Sequence, residues 1–315
     1  MSPRHPGAGR ALVLGLAAAA FFAVTFVLNR SMADAHGHWA WSASLRYLVT
    51  APVLLGILAA RGRLPALAAA WRAAPAAWLG WGTVGFTVFY ATLTGAGALA
   101  PGWVVAGTWS VTIVAGLLLA PFLYADHRAV IPRRALVASA VVVGGVLLVQ
   151  VGQVRAADLR TALGGLSLVL VAAVAYPLGN RKMMLAVEHA RADVDPFVRT
   201  TAMTLGSLPA WILVAGYGLF RVGWPPASQV GQAAVVALSA GVVATALFFA
   251  ATDRVRRDPV ALAAVEATQA AEVPFALAFE VALLGAAWPD PLAWAGLAII
   301  VLGIVAYARM TAPAA

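Results

Sequence analysis

Apolar residues run along this chain in long blocks. They do not alternate as in a half-buried strand, nor form the single stripe of a soluble helix. A helix needs roughly 20 apolar residues to cross the hydrocarbon core of a bilayer. The chain has ten such blocks, at about 11–29, 40–60, 76–97, 101–123, 135–152, 162–179, 197–219, 230–251, 260–284 and 291–308. The connections are short and rich in turn residues, as in Arg61-Gly62-Arg63, Trp224-Pro225-Pro226 and Trp288-Pro289-Asp290-Pro291. None is long enough for a soluble domain. The first block, preceded by Arg4 and Arg10 and followed by Ala33-Asp34-Ala35, has the outline of a signal peptide. Its apolar run is longer than the roughly 7–15 residues usual for one, so it reads as the first span. The expectation is an all-α membrane protein of ten transmembrane helices.

Composition agrees. The chain is 63% hydrophobic and 10% charged, with a mean hydropathy of +0.89, whereas soluble domains are about a quarter charged. The net charge of +9 comes from 21 Lys and Arg against 12 Asp and Glu. Those cations are sorted by side. Arg61, Arg63 and Arg72, then Arg128, Arg133 and Arg134, then Arg181, Lys182 and Arg191, and finally Arg254, Arg256 and Arg257 fall in alternate connections. Only Arg155, Arg160 and Arg221 fall on the other side. The rich side is cytoplasmic by the positive-inside rule, which places both termini inside and requires an even number of spans. Topology thus accounts for the charge without a nucleic-acid partner. With no cysteine, a disulfide framework, a thiolate metal site and a cysteine nucleophile are excluded.

The chain also reads as two halves, 1–152 and 153–315. Asn29-Arg30 near the end of span 1 is matched by Asn180-Arg181 near the end of span 6, and each is followed by an arginine in the next span, Arg46 and Arg199. Pro101 and Pro259 lead the fourth span of each half. Five spans per half is odd, so the second half enters from the opposite side. Such inverted repeats place a central site at their interface.

Catalytic chemistry is poorly represented. The five histidines fall in the tail or connections and no span carries an Asp, so the acid–base groups of an intramembrane protease are missing. His36-Gly37-His38 is a lone pair on a loop, so no metal site or cofactor is expected. No Walker-type phosphate loop is present. The polar exceptions cluster in span 9, which holds Glu266, Gln269, Glu272, Pro274 and Glu280. A carboxylate at membrane depth is costly and marks function or a structural ion pair, here with Arg46 or Arg199. Counted from Pro259, Glu266 lies roughly 10 Å and Glu272 roughly 20 Å into the span. At helical spacing Glu266 and Gln269 share a face, Glu272 points to an adjacent one, and Glu280 falls near the outer interface. Thr83, Thr87, Tyr90 and Thr94 form a polar stripe on span 3, suited to packing or to a cavity wall. Trp109 lies deep in span 4, while Trp39, Trp41, Trp71, Trp224, Trp288 and Trp294 sit near span ends as interface anchors.

The run Phe21-Phe22-Ala23-Val24-Thr25-Phe26-Val27-Leu28-Asn29-Arg30, Arg46, and Val265-Glu266-Ala267-Thr268-Gln269 through Glu272-Val273-Pro274-Phe275 resemble the drug/metabolite transporter superfamily, in its EamA-like branch of multidrug resistance efflux transporters. The resemblance covers nearly the whole length. It implies a secondary exporter of small organic solutes in the bacterial inner (plasma) membrane, a monomer or homodimer working by alternating access and possessing no enzymatic activity. The small four-helix members carry their coupling Glu in the first helix. Residues 11–28 here have no acidic residue, so proton coupling would fall to Glu272 or Glu266. Substrate or proton binding is expected at Glu272, Glu266, Gln269, Thr87, Tyr90 and Trp109, with Arg46, Asn29 and Arg199 as gate or ion-pair positions. The alternative from another class is a membrane sensor or assembly subunit that transports nothing.

Overall fold

A computed structural model describes residues 8–126, 129–131, 133–156, 158–190, 194–255 and 264–311. Pro259, His127, and Arg4, Arg128, Arg191, Arg256 and Arg257 of the charge pattern lie outside them. The described residues are helical, with no strand among them. In chain order the helices are α1 (Ala8–Asp34), α2 (Trp39–Ala60), α3 (Leu64–Ala73), α4 (75–97), α5 (Gly102–Leu123) and α6 (Arg133–Ala156). They continue as α7 (Leu159–His189), α8 (Pro196–Val222), α9 (227–255), α10 (Ala264–Leu284) and α11 (Pro291–Thr311). Among the described residues, eight helices are long and apolar enough to cross a membrane. The other two expected stretches are the composite helix α4 and the shorter apolar α11. Phe122, Leu213, Phe220 and Leu283 are more than 70% exposed on the outside of the bundle. Side chains of this kind face lipid in a spanning protein, whereas a soluble one rarely shows such a surface.

Two helices run past their expected ends near 29 and 179, beyond the Asn-Arg pairs. α1 continues to Asp34, which pairs with Arg30 at 2.7 Å one turn away. α7 runs on to His189 through Lys182, Met183, Met184 and Leu185, all good helix formers. Loop 2–3 also contains a helix, α3, whose Leu67 and Ala70 are buried. The Trp78 indole donates to Ala70 O at 2.8 Å and fixes α3 against α4.

Helices cross where glycines remove side chains. A Cβ on Gly206 of α8 would fall on the Trp78 backbone carbonyl of α4, and one on Gly179 of α7 would fall on the Gly85 backbone. Gly145 and Gly296 bring α6 and α11 equally close, a hypothetical Cβ on each lying 2.8 and 2.7 Å from the other's carbonyl. With no hydrophobic drive between helices in lipid, such close approach is what holds them.

The packing has a regular plan. α6 pairs with α11, and α2 with α8. α4 packs on α7 and α8, while α9 packs on α1 and α2. α5 lies on α7, as α10 lies on α1. The connections meet by end. Arg63 pairs with Asp195, joining the 2–3 and 6–7 connections. At the opposite end Gln229 Nε2 donates to His38 O at 2.9 Å and to Ser42 Oγ at 2.8 Å, and the Trp41 indole donates to Gly223 O at 2.9 Å. Trp41 is therefore buried and structural, not a free anchor in the interface.

Four inner helices depart from α geometry. α4 is π-helical over Thr83–Val88, and α9 over Ala237–Ala244. α5 breaks at Ser110, and α10 tightens to a 3-10 turn over Thr268–Ala271.

Glu280 lies at the end of α10, near the expected depth, but is 2% exposed. Its carboxylate accepts from Gly102 N at 3.0 Å and Trp103 N at 2.9 Å. Those are the first amides of α5, which Pro101 cannot cap with its own side chain. Glu280 is buried because this helix start supplies donors that the lipid interface would not.

Candidate functional site

A cavity of about 280 Å³ lies among α1, α2, α4, α5, α7, α8, α9 and α10. That is near the lower end of the roughly 300–1,000 Å³ usual for small-molecule pockets. Neither α6 nor α11 contributes to the lining.

Besides the phenols of Tyr47 and Tyr176, three acidic or basic side chains line it: Arg46 from α2, Arg199 from α8 and Glu272 from α10. Glu272 is buried and, among the described residues, is in an ion pair with neither arginine. The structural ion pair that sequence reasoning left open is therefore not formed. The Arg46 guanidinium lies 4.1 Å from the Tyr90 ring centroid and 5.6 Å from that of Tyr47. Cation–π contact holds such a group when water is scarce. The Tyr90 hydroxyl donates to Asn29 Oδ1 at 3.1 Å. Arg46 thus rests on an aromatic platform that Asn29 steadies from α1.

Aromatic rings form much of the wall. Phe89, Trp109 and Tyr176 meet with centroids 4.9 to 5.6 Å apart. Tyr47 stacks on buried Trp211 at 4.8 Å, and Phe248 and Phe249 face the cavity from α9. The Thr25 hydroxyl of the lining is buried without a partner among the described residues, but other hydroxyls are already used. Thr50 donates to Arg46 O at 2.7 Å and Thr204 to Thr200 O at 2.9 Å, so both return to their own helices.

Of the residues expected here, Glu272, Gln269, Trp109, Arg46 and Arg199 share the lining. Glu266 does not, and its side chain is exposed. The expected pairing of Glu266 with Gln269 is replaced by Gln269 with Glu272. In the 3-10 turn between them, residues three apart eclipse, which swings Glu272 over Gln269. Tyr90 and Asn29 sit behind Arg46 and outside the lining. Thr87 is buried against α8, its hydroxyl 3.5 Å from Ser207 O. The π turn at Thr83–Val88 breaks the stripe counted at 3.6 residues per turn. Sequence reasoning missed Tyr47, Tyr176, Phe248 and Asn180, which all line the cavity. Asn180 was visible only as half of a repeated dipeptide.

A bundle of apolar helices around a central chamber with unpaired charges defines a multi-pass membrane protein built to handle a small solute. Comparison with known families agrees. The chain belongs to the EmrE family described as "Putative multidrug resistance efflux transporter", which matches residues 9–313. That is a family of membrane transporters and not of enzymes, and it places the chain in the bacterial plasma membrane. The chain is 44% identical over 313 residues to the uncharacterized protein YjlA of Bacillus subtilis (strain 168), covering 96% of each. It is 45% identical over 269 residues to an uncharacterized 42.1 kDa protein in the intracellular alkaline protease 3' region of Shouchella clausii, covering 84% of this chain and 70% of that one. A crystal structure matches with a TM-score of 0.63 at 19% identity, covering 96% of this chain and 97% of the other. That likeness speaks to the fold alone.

Proposed function

We propose that the protein is a secondary exporter of small organic solutes, with ten spans, both termini cytoplasmic and alternating access between inverted repeats 1–152 and 153–315. The observation that carries this reading is the cavity, lined from both halves and holding Glu272, Arg46 and Arg199 without an ion pair among them. Burying a charge without a partner costs several kcal/mol, so it persists where function requires it. Support for the repeat comes from the matched packing partners and matched breaks of the two halves. The π segments of α4 and α9 are one such pair, and the breaks of α5 and α10 are the other.

In this reading Glu272 carries the coupling proton or contacts substrate, Gln269 lies beside it, and Trp109 forms wall. Arg46 and Arg199 are charged positions within the site. Glu266 has no part in it.

The absence of cysteine makes the test direct. A single Thr245→Cys variant places a thiol on the lining. A membrane-impermeant maleimide should label it from either face of sealed vesicles, and an imposed pH gradient should shift the ratio of the two. Glu272→Gln should abolish that shift. Labelling from one face only, or from neither, defeats alternating access and favours the sensor or assembly subunit. A pH-dependent ratio that survives Glu272→Gln removes Glu272 from coupling.

A further inference from the structure

The family description points to drugs, but the charge of the cavity points to a particular ligand chemistry. Two guanidiniums and one carboxylate face the same space. With Glu272 ionised the three sum to a positive charge, and with Glu272 protonated to a larger one. An organic cation entering there meets like charge where little water remains to screen it. An anion does not. We propose that the cavity binds an organic anion, a carboxylate on a planar apolar body, held through its carboxylate by Arg46 and Arg199. This rests on the cavity being the solute site.

Each part of such a ligand has a counterpart. A guanidinium offers a planar fork of donors that fits a carboxylate with two parallel hydrogen bonds. The Arg46 guanidinium lies over the Tyr90 ring and lines the cavity, and among the described residues no carboxylate pairs with it. Arg199 is in no ion pair among the described residues. The ring cluster of Phe89, Trp109 and Tyr176 supplies flat apolar wall for the body. The neutral polar groups nearby, Gln269, Asn180 and the hydroxyls of Tyr47, Tyr176 and Thr25 among them, can pair with either sign of charge, so the two guanidiniums set the preference.

The test compares two probes with one ring and one chain, 3-phenylpropanoate and phenethylammonium, on the purified full-length protein in lipid nanodiscs. A ligand that binds only the folded state raises its melting temperature with concentration. 3-Phenylpropanoate should raise it at millimolar concentration and phenethylammonium should not. Arg199→Gln and Arg46→Gln should each weaken carboxylate binding by about 10- to 100-fold, the value of one charge-assisted hydrogen-bonding partner. Arg199→Lys should recover part of the loss. If Arg46→Gln fails to fold, because Tyr90 loses its cation, the comparison on the unaltered protein still decides.

Binding of phenethylammonium as tight as that of 3-phenylpropanoate overturns the proposal. So does silence from the carboxylate, or carboxylate binding that survives Arg199→Gln unchanged. The exporter reading fails separately. A cavity that binds the carboxylate yet is reached from one face only ends the exporter and keeps the ligand class. One reached in turn from both faces that prefers the ammonium does the reverse.

Discussion

Removing the Glu280 side chain tests how α10 is tied to α5. In Glu280→Ala two buried amides, Gly102 N and Trp103 N, lose acceptors that stand at 3.0 and 2.9 Å. A hydrogen bond to a charged group contributes about 1.5–3 kcal/mol, and a buried donor left unpaired costs a similar amount. Neither amide has another acceptor within the start of its helix, since the first amides of any helix are orphans. Two such bonds give a loss of about 3–6 kcal/mol. Glu280→Gln keeps the volume and one carbonyl oxygen, but turns an amino group towards the second amide. It should lose about half as much. Reversible unfolding in mixed micelles, titrated with dodecyl sulfate, gives both values on one scale. A loss under about 1 kcal/mol for Glu280→Ala would show that the carboxylate is not the cap of α5, and the reasoning from burial would fall with it.

Two further outcomes follow from local geometry. Gly206→Ala drives a methyl into the Trp78 carbonyl and should lower stability by about 1–3 kcal/mol or more. Gly216→Ala on the same helix meets nothing and should be neutral or gain up to ~1 kcal/mol. Equal melting temperatures for the pair would refute close packing at Gly206. His38, ahead of α2, accepts from Ala40 N at 3.3 Å, and its pKa is held below the usual 6.5 by burial and by the nearby Arg221. Folding therefore favours the neutral ring. Its stabilisation is present above about pH 6.5 and fades as pH falls through the lower folded value. His38→Asn keeps an acceptor without titrating, so its melting temperature should fall less than wild type between pH 8 and 5. Parallel profiles would exclude His38 as the cause.

The spans were legible because a bilayer demands long apolar runs, and hydropathy reads such runs directly. The ends were less so. The last turns of α7 carry Arg181, Lys182 and Glu188, which a hydropathy rule assigns to a loop although the backbone stays helical. Glu272 stood out because a carboxylate in an apolar block is expensive wherever it points. Its partners could not be read, because direction around a helix was counted at one fixed angle per residue. The 3-10 turn before Glu272 and the π turn through Thr83–Val88 each change that angle. A count at one angle per residue registers neither. Tyr47 and Tyr176 were missed for a related reason. An aromatic ring in an apolar block reads as packing until three dimensions show which rings surround open space.

The irregular turns are not scattered. Phe86 lies within the π segment of α4, and Ala240 and Gly241 within that of α9. Trp109 precedes the break in α5, and Gln269 lies in the 3-10 turn of α10. Each of these residues lines the cavity. α6 and α11, which stay outside the lining, are regular α-helices throughout, clamped together at Gly145 and Gly296. In hydrocarbon a backbone can leave α geometry only where protein or a cavity takes up the freed groups. On the exporter reading proposed above, a chamber that opens to one face and then the other needs compliance at its own level and rigidity behind it. On that reading, these turns and the α6–α11 pair are placed to serve those two needs.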